Sequence, residues 1–355
     1  MNFTHTEDRR MLADSLQRYL AEQYPIEARN QVAYEAPYHD PSRWSELAEL
    51  GILSALVDEA HGGFGGKGFD ITVVFEELGR ALCPEPMLAA LMCLRIAQAY
   101  DDTDLINAIS SGASKAALAV FEPDNSDTLE TLTTTARQTD DGWVIDGRKS
   151  VVYGGPQADV YLVAARIHDS VGLFVTEQAD KQAFAMIDGG GAAELSFTQS
   201  PARCLSESAG DVINDSLDTG RLALCAEAVG AMEVLLGLTN EYLTQRQQFG
   251  TPIATFQALQ HRLVDMAIEL EQCRSMTTLA ASKLDTEERS RYIAMAKNLI
   301  GRGATLVAEE ATQLHGGIGM TWEYAGAHYA KRLIMLDHQL GDRYQHLSRL
   351  ISEAA

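Results

Sequence analysis

The feature that most constrains the fold is a residue pattern that changes at two points along the chain. Up to about residue 112, apolar residues recur at steps of three and four, which is typical of amphipathic helices. From 113 to 215 the sequence breaks into short β-branched and aromatic runs, and from 216 the helical spacing returns. We therefore predict an α+β fold with a helical domain at 1–112, a β domain at 113–215 and a four-helix-type domain at 216–355.

The middle segment has the features of an antiparallel sheet. The stretch "TDDGWVIDG" places an Asp-Gly turn between residues that suit strands, which is a strong signal for a hairpin. No helical pattern separates this run from "DVYLVAARI" and "VGLFVTEQ", as parallel strands with crossover helices would require. We therefore expect mainly antiparallel strands here.

The last segment predicts a bundle of long helices. One apolar stripe covers about six turns and consists of Phe256, Leu259, Leu263, Met266, Leu270, Cys273, Met276 and Leu279. The next helix has a capping-box pattern at its start, with Asp285 at the cap and Glu288 three residues later. It meets a natural stop at Gly316-Gly317.

Composition excludes several classes of function. The formal net charge of −22 disfavours broad binding to nucleic acids or anionic membranes. Five cysteines without a C-x-x-C motif indicate reduced thiols and no zinc site, and we predict no bound metal. The charged N-terminus does not resemble a signal peptide, and we find no apolar run of about 20 residues that would span a bilayer. We expect a cytoplasmic protein.

The loop "QRQQFGTPIATFQALQHRL" brings together a cation, an aromatic ring and an amide, namely Arg246, Phe249 and Gln257. A guanidinium can pair with phosphate, and a ring can pack on a flat group, so the set is suited to a nucleotide. Arg246 taken alone is more typical of a solvated cation at a helix end.

The order of the domains and this loop resemble the acyl-CoA dehydrogenase family over nearly the whole chain. "RQQFGTPIATFQALQHRLVDM" is similar to the family signature that begins R-x-x-F-G, and "QLHGGIGMTWEY" is similar to its Q-x-x-G-G-x-G segment. "EELGRAL" and "GRKSVVYGGPQADVYLVAAR" resemble a helix of the first domain and a strand pair of the middle domain. The resemblance implies a helical domain, an antiparallel β domain and a helical bundle.

The resemblance also implies FAD bound at a subunit interface. In such proteins the residues that match Arg246, Phe249 and Gln257 help to hold the dinucleotide part of a neighbour's FAD. Further residues of the cofactor site, on the same resemblance, are Gln313, Gly316, Gly317 and Ser126. Paired glycines at a helix end permit close backbone approach to a pyrophosphate.

Two departures from the family pattern concern the flavin ring. Phe121 stands where a threonine usually touches the flavin, and Val151 and Tyr153 stand where the family has Trp-x-Thr. The part of the site that holds the ADP half is therefore retained, whereas the contacts to the flavin ring are changed.

The positions that carry the catalytic base in the family hold no carboxylate here. One position is Leu340, counted from Gly316-Gly317, and the other is Gly220. Asp342 is a candidate for an off-position base, or forms a solvated charged pair with Arg343. If the segment is helical, Asp342 points about 200° away from Leu340.

Arg221 is the second candidate for a catalytic role. The family keeps an arginine there, near the acyl thioester and the base. The alternative is a structural arginine at a helix start, paired with Asp218. We interpret His338 and His346 as surface or packing residues.

Three functions remain open from the sequence. The first is FAD-dependent α,β-dehydrogenation of an acyl-CoA thioester by a heteromeric complex, in which a second acyl-CoA dehydrogenase subunit supplies the base. This chain resembles the small subunits of such complexes, which act on steroid side chains or dicarboxylic acyl-CoA thioesters. The second is a homo-oligomer that uses Asp342, and the third is a non-catalytic assembly subunit. The resemblance implies electron-transfer flavoprotein as the electron acceptor.

Overall fold

The structure is a computed structural model that describes residues 5–124 and 128–354 of the chain. The helices in that part of the chain are α1 Glu7–Gln23, α2 Ile26–Ala33, α3 Pro41–Glu49, α4 Gly68–Ala81, α5 Met87–Ala99, α6 Thr103–Ser110, α7 Gly210–Gln245, α8 Gln257–Ala281, α9 Arg289–His315, α10 Ala325–His338 and α11 Arg343–Ala354. The strands are β1 Ala116–Ala119, β2 Thr135–Thr139, β3 Gly142–Tyr153, β4 Val160–Ile167, β5 Ser170–Thr176, β6 Asp180–Ala185, β7 Gly191–Ser206, β8 Gln247–Gln248 and β9 Thr251–Pro252.

The elements follow the predicted order of helices, strands and helices. Helices α1 to α6 precede β1, and α7 to α11 follow β7. The division into three domains at 112/113 and 215/216 stays a prediction, since the chain groups into two compact units. The first unit contains the chain up to Glu27, Lys67–Cys83 and Arg221–Ala355, and the second contains Ala28–Gly66 and Pro84–Gly220.

The second unit is built around a seven-stranded sheet. Its strands follow the order β1-β4-β2-β3-β7-β5, β6 pairs with β7, and β4 also pairs with β5. The β4–β5 pairing closes the sheet on itself. The predicted hairpin is confirmed, since β2 and β3 are antiparallel and Thr139 lies opposite Gly142.

The prediction of antiparallel strands needs one correction. β1 pairs with β4 in parallel over four residues, and β2 meets β4 in parallel at Thr135 and Arg166. The long connection from β1 to β4 passes through β2 and β3, so parallel pairing needs no crossover helix. Ile145, Tyr161, Val163, Phe174 and Leu195 are among the residues of the core that this sheet encloses.

The first unit is organised around helix α9. Helices α8, α10 and α11 all pack against α9. The residues of α9 that these contacts bury include Ile293, Lys297, Ile300, Ala304 and Val307. The predicted helical bundle is therefore present, with α9 at its centre.

Two glycines set the distance between α4 and α7 in this unit. A Cβ at Gly79 of α4 would lie 2.1 Å from the carbonyl oxygen of Glu227 in α7. A Cβ at Gly230 of α7 would lie 2.0 Å from the carbonyl oxygen of Glu76 in α4. Because the obstacles are backbone atoms, only glycine fits at these two positions of the helix crossing.

Two helix starts differ from the predictions. Helix α7 begins at Gly210, so Arg221 lies in the helix interior and not at a helix start. Helix α9 begins at Arg289 with Glu288 at its N-cap, and no side chain caps it, so the capping box at Asp285 is wrong. Residues 283–289 form tight turns instead, and Glu288 pairs with Lys283.

The predicted stripe of α8 is fully buried only in its middle part. Met266, Leu270 and Cys273 are buried, but Phe256 is exposed and the helix also presents Val264 and Ile268 to solvent. This chain by itself therefore leaves the first half of α8 uncovered.

Helix α7 is long and apolar enough to cross a membrane by length and composition, contrary to the expectation from the sequence. However, 72% of its apolar stretch is buried inside the protein. A buried core helix passes the same test of length and composition, so this finding is weak evidence for a membrane span. Cytoplasmic location stays a prediction.

We predict opposite effects of alanine at two glycines of α7. Gly230→Ala should lower the free energy of unfolding by roughly 1–3 kcal/mol, because its Cβ collides with the α4 backbone. Gly237→Ala is the matched control: its Cβ meets nothing within 4 Å. Alanine there should raise stability by about 0.5–1 kcal/mol, because it favours the helix. Urea unfolding of both variants measures the difference, and a stable Gly230→Ala protein would contradict the crossing.

Candidate cofactor and active site

The loop after α7 is a tight β-hairpin that presents an aromatic ring. Strands β8 and β9 pair Gln247 with Pro252 and Gln248 with Thr251. The two residues between them both have positive φ, 55° at Phe249 and 78° at Gly250. Glycine adopts this conformation freely, but a phenylalanine there is strained by of order 1–3 kcal/mol.

The contacts of the Phe249 side chain within this chain offset little of its backbone strain. It is 92% exposed and meets Phe256 edge-on, with ring centroids 6.2 Å apart. A strained residue that presents a large apolar ring to solvent is typical of a binding site. Arg246 and Gln257, which flank the hairpin, are also exposed.

The end of α9 lies beside this hairpin loop. The His315 ring packs on Tyr242, with centroids 4.7 Å apart, and its Nε2 lies 2.6 Å from the Tyr324 hydroxyl. Tyr242 is one helical turn before Arg246, and His315 directly precedes Gly316. The His315–Tyr242 contact therefore brings the two predicted cofactor motifs to the same end of the bundle.

The glycines after α9 are not required by packing within the described chain. A Cβ at Gly316 or Gly317 would meet nothing within 4 Å. Gly316 ends α9 with φ 66°, which favours glycine, whereas Gly317 has no such conformation. A Cβ at Gly317 would therefore stand in open space, and the Gln313 side chain is exposed.

These residues fit a dinucleotide. Arg246 offers a guanidinium for which we find no hydrogen bond or ion pair among residues 5–124 and 128–354. Phe249 offers a flat apolar face, and the glycine pair leaves the room that a pyrophosphate needs. Arg246 and Phe249 are exposed in the chain that carries them, which is the arrangement expected of a site shared with a second subunit.

In the second unit, a buried ion pair fixes the start of the predicted flavin loop. The Glu122 carboxylate accepts hydrogen bonds from the backbone N–H groups of Thr133 and Thr134, at 2.7 and 2.9 Å. Lys149 Nζ donates to Glu122 at 2.9 Å and to the Val120 carbonyl at 2.8 Å.

The pKa values of Glu122 and Lys149 favour the charged forms that this ion pair requires. Burial alone would raise the pKa of Glu122, but Lys149 and the Thr133 bonds lower it to about 2. Burial lowers the pKa of Lys149 to about 8 against the attraction of Glu122. Ser126, a predicted cofactor contact, lies outside the described residues.

Strand β3 is irregular at the position where the family pattern has Trp-x-Thr. The register with β7 shifts between Lys149 and Val152. Val151 in this bulge has φ 50° and is 40% exposed. A β-branched residue with positive φ is a conformational outlier, and such outliers concentrate at functional sites.

Leu340, at the first of the two base positions, lies in a turn, and its side chain is buried. Helix α10 ends at His338, and Leu340 follows with φ 57° and only 3% exposure. The Leu340 carbonyl accepts a hydrogen bond from Arg221 Nε at 2.8 Å. Arg221 therefore lies at Leu340, where a buried leucine side chain occupies the family's base position, and its catalytic role stays a prediction.

His346 of α11 supports the same turn. Burial, Arg221 and Lys297 lower its pKa to about 3, although a hydrogen bond to the Leu340 backbone opposes the shift. Its Nε2 is buried and has no partner among the described residues. A Cβ at Gly341 would lie 2.9 Å from this nitrogen, so the neutral His346 ring packs under the turn. His346 is therefore a packing residue, which is one of the two alternatives expected from the sequence.

Asp342 has a structural task. Its Oδ1 accepts the backbone N–H groups of Tyr344 and Gln345 at 2.8 Å each, and its own N–H donates to Gln345 Oε1 at 2.8 Å. This reciprocal pattern is a capping box at the start of α11. The assumption of a continuous helix from Leu340 to Asp342 is therefore wrong.

The solvated Asp342–Arg343 pair is also not observed. Arg343 donates its backbone N–H to Asp337 at 3.0 Å, and its guanidinium lies 3.6 Å from the same carboxylate. Arg343 contacts Thr305 of α9 as well, at 3.1 Å.

Sequence reasoning missed the two buried lysines. Lys149 lies in "GRKSVVY", where a charge among strand residues could have been noticed. Lys297 stands four residues after Ile293 and three before Ile300, which is a core position of the α9 stripe. A lysine at a core position is rare unless it has a partner, so the spacing contained the signal.

Comparison with known proteins identifies the family. The acyl-CoA dehydrogenase N-terminal domain matches residues 6–99, and the acyl-CoA dehydrogenase C-terminal domain matches residues 210–338. The chain is 30% identical to acyl-CoA dehydrogenase IpdE2 of Mycobacterium tuberculosis over 99% of its own length and 98% of that protein.

Two solved structures have the same fold. A chain of the Tcur3481–Tcur3483 steroid ACAD superposes with a TM-score of 0.88 at 28% identity, over 98% of both chains. A chain of the ChsE4–ChsE5 complex from Mycobacterium tuberculosis superposes with a TM-score of 0.90 at 24% identity, over 100% of this chain and 99% of that one. The predicted fold class is confirmed. The chain belongs to the acyl-CoA dehydrogenase family, whose members are FAD-dependent oxidoreductases that act on CH–CH bonds.

Proposed function

We propose that this chain is one subunit of a heteromeric acyl-CoA dehydrogenase, which grips the dinucleotide part of FAD while a partner subunit supplies the catalytic carboxylate. The observation that carries the proposal is the buried Leu340 at the family's base position, in a chain that also retains the cofactor loop. The complex would remove an α-proton and a β-hydride from an acyl-CoA thioester.

The two base positions of the family carry no carboxylate in this chain. Leu340 has no group that can accept a proton, and Gly220 has no side chain. Asp342 uses one carboxylate oxygen to cap α11. A base must lie within about 2.6–3.2 Å of the proton's carrier atom, and a capping carboxylate is not free to move there. The homo-oligomer that depends on Asp342 is therefore disfavoured.

The retained cofactor loop argues against a purely structural subunit. An assembly protein has no need of a strained Phe249 at a hairpin tip, or of Gly317 in open space. The uncovered first half of α8, with Val264 and Ile268 exposed, supports contact with a further subunit. The similarity to the Tcur3481–Tcur3483 steroid ACAD, whose name joins two chains, also supports a heteromeric assembly.

We assign each residue a role that its chemistry and exposure support. Arg246 would pair with the pyrophosphate, Phe249 would pack on a flat part of the dinucleotide, and Gly317 would allow close backbone approach. FAD supplies the acceptor for the β-hydride. Arg221, fixed by the Leu340 carbonyl, would hold its positive charge near the thioester or the partner's carboxylate.

The substrate class and the acceptor are parts of the same proposal. A steroid-derived acyl-CoA thioester is supported by the similarity to the steroid ACAD, and a dicarboxylic acyl-CoA thioester stays the alternative that the family resemblance implies. Electron-transfer flavoprotein would then reoxidise the flavin.

The central prediction concerns cofactor content. Produced alone, the chain should carry little FAD and should not oxidise acyl-CoA thioesters. Produced with a base-bearing acyl-CoA dehydrogenase chain encoded beside it, it should form a mixed oligomer that contains FAD and is reduced by substrate. Flavin absorbance per chain, native mass and anaerobic reduction measure this. Full FAD content and turnover by the pure chain would refute the proposal.

A second prediction tests the cofactor loop. Gly317→Ala should leave stability unchanged, because its Cβ meets nothing within the chain. In the FAD-containing complex it should weaken FAD affinity by about tenfold or more, which corresponds to roughly 1.4 kcal/mol. Gly237→Ala is the control, because a Cβ at Gly237 also meets no neighbouring atom but lies on α7. This variant should not change FAD affinity. Equal affinities for the two variants would remove Gly317 from the site.

A third prediction separates the two candidate bases. Asp342→Asn keeps the α11 cap, since asparagine and aspartate cap helices equally well. If the base belongs to the partner, the rate of flavin reduction should change by less than about threefold. Loss of a general base costs about 10²–10⁴-fold. A loss of that size in Asp342→Asn would restore the off-position base.

A further inference from the structure

A buried lysine of α9 binds the end of α10. Lys297 is 1% exposed, and its ammonium donates to the carbonyl oxygens of Leu336, Asp337 and Gln339, at 2.7, 3.2 and 2.9 Å. These carbonyls belong to the last turn of α10 and the residue after it. All three N–H groups of the ammonium therefore donate to carbonyls at the carboxyl end of α10.

The charge of Lys297 is balanced by the helix end and not by a hydrogen-bonded carboxylate. The last carbonyls of a helix have no intrahelical donors and carry the negative end of its dipole. The neighbouring Asp337 carboxylate binds the backbone N–H and the guanidinium of Arg343. Lys297 thus acts as a buried C-terminal cap of α10.

The capped helix end leads directly into the turn that holds Arg221. Gln339 O accepts from Lys297, and the next carbonyl, that of Leu340, accepts from Arg221 Nε at 2.8 Å. Consecutive carbonyls therefore connect the buried ammonium to the guanidinium. The His346 ring lies under the same turn and hydrogen bonds to the Leu340 backbone.

We propose that Lys297 is a positioning residue for Arg221: by tying down the end of α10, it fixes the Leu340 carbonyl that orients the guanidinium. Lys297 does not touch substrate or cofactor in this scheme. The catalytic consequence rests on the proposed function, in which Arg221 acts near the thioester. The attachment of Lys297 to the end of α10, called the tie below, does not depend on that function.

The electrostatic surroundings make Lys297 titratable near neutral pH. Burial lowers its pKa from 10.5 to about 8. The charged and titratable groups that face it are Cys225 and Arg221 of α7, Arg332 and Asp337 of α10, and His346 of α11. Cys225 and Asp337 favour the charged form, whereas Arg221 and Arg332 oppose it.

Deprotonation would loosen the turn without unfolding the protein. A neutral amine has two N–H bonds, so one of the three carbonyls loses its donor above about pH 8. Because the folded pKa lies below the unfolded one, the unfolded chain binds more protons between pH 8 and 10.5, and this group makes folding more favourable as pH rises there. The expected alkaline effect is therefore local.

Hydrogen exchange on the full chain tests the tie independently of activity. Lys297→Met keeps the length and apolar stem but removes all three donors. Exchange in the peptide 339–346 should become about tenfold faster or more, while α8 and the first half of α9 are unchanged. Lys331→Met is the control, since Lys331 lies on α10 over the Trp322 ring. Unchanged exchange in 339–346, or equal acceleration throughout α8 and α9, would overturn the proposal.

The native chain provides a second measurement if Lys297→Met does not fold. Exchange in 339–346, corrected for the intrinsic pH dependence of amide exchange, should accelerate with a midpoint near pH 8. The melting temperature should show no fall at that midpoint. A pH-independent corrected rate between pH 7 and 9 would overturn the proposal.

A double-mutant cycle in the FAD-containing complex tests the link to Arg221. Lys297→Met and Arg221→Met should each slow flavin reduction by substrate, and the double variant should be no slower than Arg221→Met alone. Additive losses would show that Lys297 does not act through Arg221. If the proposed function is wrong, the complex shows no reduction in any form, whereas the exchange experiment still reports on the tie.

Discussion

The position of helix α9 is the constraint on which the functional part of the first unit depends. Three helices pack on it, so few of its side chains remain in water. Its carboxyl end delivers Gly316-Gly317 to the cofactor hairpin through the contact of His315 with Tyr242. Its middle delivers Lys297 to the end of α10. Helix α9 therefore positions the residues of two sites that lie far apart along its length.

The order of the elements could be predicted from the sequence because local patterns determine it. Alternation and Asp-Gly turns define β2 and β3, and apolar spacing defines α8 and α9. The start of α9 at Arg289 could not be predicted, because the turn at 283–289 uses a Lys283–Glu288 pair in place of the expected cap. The parallel pairing of β1 with β4 depends on closure of the sheet, which no local pattern reports.

The candidate site was predictable where a motif specifies a residue, and not where three-dimensional contacts do. Arg246, Phe249 and Gly317 stay predictions from the resemblance of two motifs to the family. The capping role of Asp342 depends on where α10 ends, and there the Leu336 carbonyl accepts a hydrogen bond from Lys297, 39 residues earlier in the sequence. The link from Arg221 to Leu340 likewise joins segments that are remote along the chain.

The exposed ring of Phe249 has a consequence for how the cell handles this chain. Together with Val264 and Ile268 on α8, it gives the isolated subunit an apolar surface. Surfaces of this kind recruit chaperones and proteases when they stay uncovered. We therefore expect the amount of this protein in the cell to follow the supply of whatever covers that surface, so that subunit stoichiometry is set by degradation of the excess chain.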